Sequence, residues 1–336
     1  MDLTHFQELF KNEPRYRLGQ AKKAIFQELI ENWQEATVMP LTLREKLNEK
    51  CPILIFAKIF SSKDEKTIKA LITLKDGLEI ETVLMRHQDK RNTVCVSSQV
   101  GCPLACLFCA TGKMGFKRNL EEFEIIEQVL FFSRYLKKEK EKVTNIVFMG
   151  MGEPFLNYEN VMGAIKVLND KGGLNLGARH FSISTAGITE GIEKLAKENL
   201  QVNLAISLHT PNEELRLELM PISEKYPIKK ILIAVDDYIE KTRRRVMFEY
   251  IMIKDVNDSD EQAAELAELM LKPLYFVNII PCNPNGDIKP STKIRISRFK
   301  EILEERGVGV IQRYSFGRDI EGACGQLATK ETLLSD

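Results

Sequence analysis

The sequence predicts an α/β protein: a partial (β/α)6 barrel preceded by a small helical module and a β-hairpin extension. Three observations lead there. From about residue 94, short apolar strand-like runs alternate with amphipathic helical runs in six consecutive units, the pattern of a parallel sheet covered by helices. Right-handed crossovers curl such a sheet, and six units instead of eight leave the barrel open. Residues 1–93 lack the alternation and therefore form something else.

Taken in order, residues 1–50 read as helical. RLGQAKKAIFQELIENW places apolar side chains at helical intervals, and MPLTLREKL reads as a turn entering a short helix. Residues 51–93 form the extension: ILIFAKIF and KTIKALITL are rich in β-branched residues, and LITLKDGLEIETVLM sets KDG between two strand-like runs, a hairpin signal. The barrel, 94–314, begins with strand TVCVSS and helix LEEFEIIEQVLFFSRYL. Strands NIVFMG, RHFSIS, NLAISL, RVMFEYIMI and YFVNIIP follow, each with its helix, and GVGVIQRY is the last strand. Residues 315–336 are a tail.

Bulk properties exclude some classes. The formal net charge is zero, so any polyanion binding must come from local basic patches. MDLTHFQELFKNEPRYRLGQ lacks the basic start, apolar core and cleavage site of a signal peptide, and no run of about eighteen apolar residues occurs. A cytoplasmic location without membrane contact is expected. There, clustered cysteines read as metal ligands or catalysts before they read as disulfides.

Four of the seven cysteines fall within CVSSQVGCPLACLFCATGK, on the loop after the first barrel strand. Barrels of this kind place their chemistry at the C-terminal ends of the strands. GMGEP (150–154), STAG (184–187), SLHT (207–210) and PCNPN (281–285) end later strands and face the same mouth. Cys102, Cys106 and Cys109, spaced C-x3-C-x2-C, are open to three readings: an iron–sulfur cluster, zinc, or unligated thiols. Zinc wants four ligands, and no second C-x2-C or H-x3-H occurs. A cubane held by three thiolates instead of four keeps one iron open to a further ligand.

That spacing resembles the radical S-adenosylmethionine superfamily. CVSSQVGCPLACLFCATGKMGFKRNL, MGMGEPFLNY, SISTAGI, AISLHTPNEELR, LMPI and RDIEGACGQLA, in that order, resemble more narrowly the RlmN/Cfr family of RNA methyltransferases, and the RlmN type in particular. The resemblance implies a [4Fe-4S] cluster on Cys102, Cys106 and Cys109 and two molecules of S-adenosylmethionine per turnover. The cluster cleaves one of them to a 5′-deoxyadenosyl radical. It also implies methylation at C2 of an adenosine in 23S rRNA, with tRNA as a further substrate. Electrons would come from a donor such as flavodoxin or ferredoxin, and the protein would act as a monomer. Cfr-type C8 methylation of the same adenosine is the alternative, and the FG of FGRDIEGACGQL favours it.

The same resemblance assigns roles. Cys324 matches the cysteine that carries the methyl group as S-methylcysteine. Cys95 matches the resolving cysteine that forms a transient disulfide with it, and Glu81 the proton acceptor. Gly152, Glu153, Ser184, Ser207, Leu208, His209 and Asn283 match the cofactor pocket, Glu153 accepting from the methionine ammonium. Phe108 would cover the cluster and Asp319 tether the Cys324 loop, whereas Cys51 and Cys282 read as packing residues. For RNA, two basic patches stand out: Lys113, Lys117 and Arg118 beside the cluster loop, and KTRRR, with Lys241, Arg243, Arg244 and Arg245, before the fifth strand. Two rivals remain. A hydrogen-abstracting activase gives Cys95 and Cys324 no task, and a zinc-stapled RNA-binding protein lacks a fourth ligand.

Overall fold

Val, Ile and Phe recur through the strand-like runs, and in the computed structural model they pair into one ten-stranded sheet. The structure describes residues 6, 8–53, 55–284, 288–313 and 316–329. The described parts of the first fifty residues hold helices α1 (Arg15–Phe26) and α2 (Leu41–Lys50). The first is shorter than its apolar period predicts. Asn32 caps a separate 3-10 turn that buries Trp33, whose indole donates to the Cys51 carbonyl at 2.7 Å. Cys51 is buried there as a packing residue.

Three antiparallel strands follow: β1 (Phe56–Ser61), β2 (Thr67–Thr73) and β3 (Glu79–Arg86). The β2–β3 hairpin turns through Gly77, whose positive φ of 81° suits glycine. These strands are no detached appendage. Strand β3 pairs antiparallel with β4 (Asn92–Cys95), and β4 pairs parallel with β7 (Asn145–Phe148). Parallel neighbours β8 (Phe181–Thr185), β9 (Asn203–Ser207), β10 (Val246–Met252), β11 (Tyr275–Pro281) and β12 (Val310–Gln312) complete the order. Seven parallel strands joined by crossovers make the expected open barrel, and all their C-terminal ends point one way.

The helices between them bury one apolar stripe each. They are α4 (Glu122–Lys138), α5 (Tyr158–Asn169), α6 (Thr189–Leu195), α8 (Ile228–Thr242), α9 (Asp260–Leu269) and α10 (Lys293–Glu305). Shorter helices α3 (Ala110–Lys113) and α7 (Glu213–Leu219) lie at the strand ends, and neither is evident in the sequence pattern. The sequence also conceals β5 (Gln99–Gly101) and β6 (Phe116–Asn119), a second, two-stranded sheet that pinches the base of the cysteine loop. Gly101 makes it possible: its φ is 74°, and a β-carbon there would lie 1.8 Å from the Gly115 carbonyl oxygen. Among the described residues, no helix is long and apolar enough to cross a membrane.

The register of the extension aligns charge with the barrel interior. Lys69 lies opposite Val83, Leu71 opposite Glu81, and Val83 opposite Cys95. Lys69, Glu81 and Cys95 therefore share one face. The Lys69 ammonium meets the Glu81 carboxylate at 2.9 Å, with both side chains 1% exposed. Removing one partner of a buried pair strands the other charge. Lys69→Met is accordingly expected to cost about 3–5 kcal/mol in urea unfolding, and Lys69→Met combined with Glu81→Leu to recover most of it. A single variant as stable as wild type would contradict a charged pair.

Candidate active site

The loop after β4 leaves the sheet, passes through the β5–β6 pinch, and presents Cys102, Cys106 and Cys109 to one cavity. Cys102 N–H donates to the Gly115 carbonyl at 3.0 Å and Leu107 N–H to the Leu219 carbonyl at 3.0 Å. Ala105, with φ 51°, turns the chain between the first two thiols. The cavity holds ≈ 160 Å³ and is also walled by Gly152, Glu153, Ser184, Ser207, His209, Glu249, Arg313 and Cys324. Most sequence-predicted site residues thus meet at one mouth.

The thiols suit a multi-iron group. Burial pushes the Cys102 thiol up to about 12, and Cys106 is raised further by burial and by its two cysteine neighbours. Positive iron would supply the missing counter-charge. Among the described residues, no three His, Cys, Asp or Glu side chains converge tightly enough for a single metal ion. The three thiols line one cavity wall together.

Each predicted pocket residue has a definite place. Gly152, φ 97°, lets the chain pass Gln99, whose Cβ would lie 2.5 Å from any added β-carbon. Glu153 is buried and accepts from Phe155 N–H at 3.0 Å and Ala186 N–H at 2.8 Å. Burial nonetheless pushes its carboxyl up to about 7. The Ser184 and Ser207 hydroxyls stand 3.3 Å apart. His209 accepts at Nδ1 from Ile251 N–H at 3.2 Å, and burial depresses its ring to about 3. It is thus a neutral imidazole whose Nε2 carries the proton: a donor, not a base. Phe108 stands edge-on to it with centroids 4.9 Å apart.

Four residues fall outside that cavity wall: Cys95, which lines a neighbouring gap, and Leu208, Asn283 and Glu81. Leu208 is fully buried core. The Asn283 amide donates to the Cys324 carbonyl at 3.0 Å and accepts from Arg318 at 2.9 Å, so it holds the tail. Glu81, already paired with Lys69, accepts from Ala328 N–H at 2.9 Å. PCNPN runs on to residue 285, outside the described residues.

The tail brings Cys324 back from far along the chain. Ala110 N–H donates to the Gly325 carbonyl at 2.7 Å and the Thr111 hydroxyl to the Leu327 carbonyl at 2.6 Å. Upstream, the Asp319 carboxylate accepts from Lys63 N–H at 2.7 Å, the tether its position foreshadowed. Cys324 and Cys95 both line a narrow gap of ≈ 20 Å³ with Arg313, and both thiols are free. Cys95 is pushed up to about 12, by burial first and the Cys324 thiol second. Cys282 is buried as packing.

Sequence reasoning missed Arg216, Glu249, Asn278 and Arg313. Arg216, fully buried, donates to the carbonyls of Ala186 (2.7 Å), Ser207 (3.2 Å), Leu208 (3.2 Å) and Tyr226 (3.0 Å) and to the Ser223 hydroxyl (2.9 Å). It staples the ends of β8 and β9. The available signal was a charge on the apolar face of α7, beside Leu219. The basic patches divide: Lys113 and Lys117 are exposed beside the cluster loop, whereas Arg118 is engaged and KTRRR is distant. Arg118 forks onto Glu124 and meets Asp76. KTRRR precedes β10, at the barrel end opposite the cavity, where Arg244 holds Asn203 and Arg245 covers Phe276.

A thiol triad after the first barrel strand, facing a cavity rimmed by parallel strand ends, defines a radical S-adenosylmethionine enzyme. Residues 96–267 match the Radical SAM superfamily, which carries a [4Fe-4S] cluster and S-adenosylmethionine. The chain is 46% identical over 317 residues to the probable dual-specificity RNA methyltransferase RlmN of Dictyoglomus turgidum, across 94% of this chain and 91% of that one. It is 44% identical to the ribosomal RNA large subunit methyltransferase N of Nitrosopumilus maritimus, across 94% and 93%. The crystal structure of a radical SAM methyltransferase from Sphaerobacter thermophilus is similar with TM-score 0.94 and 43% identity, over 98% of each chain. The chain belongs to the RlmN/Cfr family of radical SAM RNA methyltransferases.

Glu153 as acceptor for the methionine ammonium, the role the resemblance implies, predicts a pH dependence. Its folded pKa lies above the ordinary carboxyl value, so below about 7 it is protonated and cannot pair with an ammonium. Affinity of the cluster-reconstituted protein for S-adenosylmethionine should rise about tenfold per pH unit below pH 7 and level off above it. Equilibrium binding from about pH 5.5 to about pH 8.5 checks this. Glu153→Gln should flatten the profile, and a flat wild-type profile would contradict the assignment.

Proposed function

We propose that this enzyme methylates C2 of an adenosine in 23S rRNA, and also acts on tRNA, with two S-adenosylmethionine molecules consumed per methyl group delivered. The observation that carries the reading is the meeting of two free thiols, Cys95 and Cys324, in one gap, with Cys324 also on the wall of the cluster cavity. C2 is preferred over C8 because the relatives quoted above are named RlmN and ribosomal RNA large subunit methyltransferase N, and the term dual-specificity accords with a second RNA.

The cluster and S-adenosylmethionine, when bound, supply the one-electron chemistry that activates a methyl C–H bond. The protein's own residues do the rest. The Cys324 thiolate attacks the sulfonium methyl, forming S–CH3 and expelling the thioether. A hydrogen atom leaves that methyl for the organic radical the bound cofactor would supply, the carbon left behind bonds to the purine ring carbon, and the adduct would return one electron to the cluster as its ring proton departs. The Cys95 thiolate then attacks the Cys324 sulfur: an S–S bond forms, the S–C bond breaks, and the electron pair goes to the departing carbon, which takes up a proton. Glu81, a carboxylate held by Lys69 on the Cys95 face of the sheet, is the acceptor for the ring proton. The Lys69 ammonium, 2.9 Å away, fixes the position of that carboxylate. A low-potential donor such as flavodoxin or ferredoxin recharges the system, and the enzyme works as a monomer. A loop or bulge adenosine lowers the cost of unstacking the base.

Mass spectrometry of adenosines from rRNA and tRNA, each incubated separately with reduced enzyme and cofactor, tests the reading. 2-Methyladenosine in both is expected; 8-methyladenosine, or no methyladenosine, would contradict it. Cys324→Ala should abolish methyl transfer while cofactor cleavage continues. Cys95→Ala should accumulate protein crosslinked to RNA on denaturing gels, and normal turnover by either variant would refute the two-thiol route.

A further inference from the structure

Glu249 is out of place by ordinary packing logic. It sits mid-strand in VMFEYIM, 2% exposed, on a strand buried along nearly its whole length. Parallel register sets Ser207, Glu249 and Asn278 side by side across β9, β10 and β11, and Glu249 faces the cavity. Its Oε2 accepts from Asn278 Nδ2 at 2.7 Å. Its Oε1 is buried without a hydrogen-bond partner among the described residues, and so is Asn278 Oδ1. Burial raises the carboxyl above its ordinary range. A buried acceptor left unmet is costly, and its retention calls for a partner that arrives later.

Arg313 supplies the complementary half. Its backbone N–H is fixed to the Ile279 carbonyl at 2.8 Å, which anchors it just past β12. Its guanidinium has one hydrogen bond among the described residues, a weak one from Nη1 to the Met149 sulfur at 3.2 Å. It walls both the cluster cavity and the Cys95–Cys324 gap. Glu249 and Arg313 lie within electrostatic reach of each other, and one cavity presents an unmet Glu249 oxygen and a guanidinium with a single weak hydrogen bond, close to the thiol that would carry the methyl group.

We propose that Glu249 and Arg313 form a recognition site for an adenine ring, Glu249 accepting from the exocyclic amine and Arg313 donating to a ring nitrogen beside it. Adenine offers that adjacent donor–acceptor pair on its Hoogsteen and Watson–Crick edges alike. Guanine and hypoxanthine put an oxygen where the amine stands, setting acceptor against acceptor. A phosphate would meet the same repulsion. Two adenines can reach this cavity: the target base, on the function proposed above, and the base of the cofactor.

The test compares adenine with hypoxanthine in two arms, on full-length cluster-reconstituted protein. One arm measures methylation of substrate RNA carrying adenosine or inosine at the target. The other measures binding of S-adenosylmethionine against S-inosylmethionine. In one arm the wild type should prefer adenine by about 100-fold or more, because the site's buried acceptor is otherwise left facing an oxygen. Glu249→Gln, whose amide can turn a donor toward that oxygen, should cut the preference at least tenfold in the same arm. The arm that responds identifies which adenine is read. Wild type that accepts hypoxanthine equally in both arms overturns the proposal without need of any variant. So does a folded, cluster-loaded Glu249→Gln with an unaltered preference. If wild type methylates no RNA, the proposed function fails, and the cofactor arm decides this inference alone by the same criteria.

Discussion

Everything at the mouth of this barrel depends on the seating of one short backbone segment. Four hydrogen bonds hold residues 324–328 there: Asn283 to Cys324, Ala110 to Gly325, Thr111 to Leu327, and Ala328 to Glu81. Their partners come from three parts of the fold: the loop after β11, the first two residues of helix α3, and the hairpin extension. Without them, a thiol more than two hundred residues downstream of the cluster loop would have no fixed distance to it. Proximity of this kind is where much of a catalyst's advantage originates. It also explains why the extension is fused to the barrel sheet: Glu81 reaches the tail only because β3 pairs with β4.

Charge is handled with similar economy. The interior carries Glu153, Glu249, Arg216 and the Lys69–Glu81 pair, each buried. Arg216 and the Lys69–Glu81 pair are met by donors and acceptors of the chain itself, and these rigidify the strand ends and the tail. Glu153 and Glu249 keep capacity toward the cavity, and burial raises both. Satisfied polar groups build the frame, and unsatisfied or raised ones mark where a ligand completes it.

Much of this was readable from the residues. YFVNIIP coincides with β11 to the residue, and the alternation of strands and helices conveyed the open barrel. The cysteine spacing, the strand-end motifs and the ACGQLA tail pointed to one mouth. What escaped did so for physical reasons. Strands β5 and β6 are only three and four residues long, and FKRN has no apolar face to betray it. The helical period of QELIENW continues past Phe26, but the chain turns away at Leu29, whose φ is 51°, before Asn32 caps its own turn. KTRRR stands before its strand, and that order alone assigns it to the barrel end away from the cavity. The two bonds of Asn283 to the tail have no signal in PCNPN, and Glu249 reads as a strand residue until its unmet oxygen is seen.

The central claim is that the carbon delivered to RNA travels on the sulfur of Cys324 and loses a hydrogen there. The most direct measurement supplies S-adenosylmethionine with a trideuterated methyl group and weighs the methyladenosine released from the RNA. A methyl group retaining two deuterium atoms is the predicted result. One arriving with all three would mean direct transfer from the cofactor, and would contradict the account.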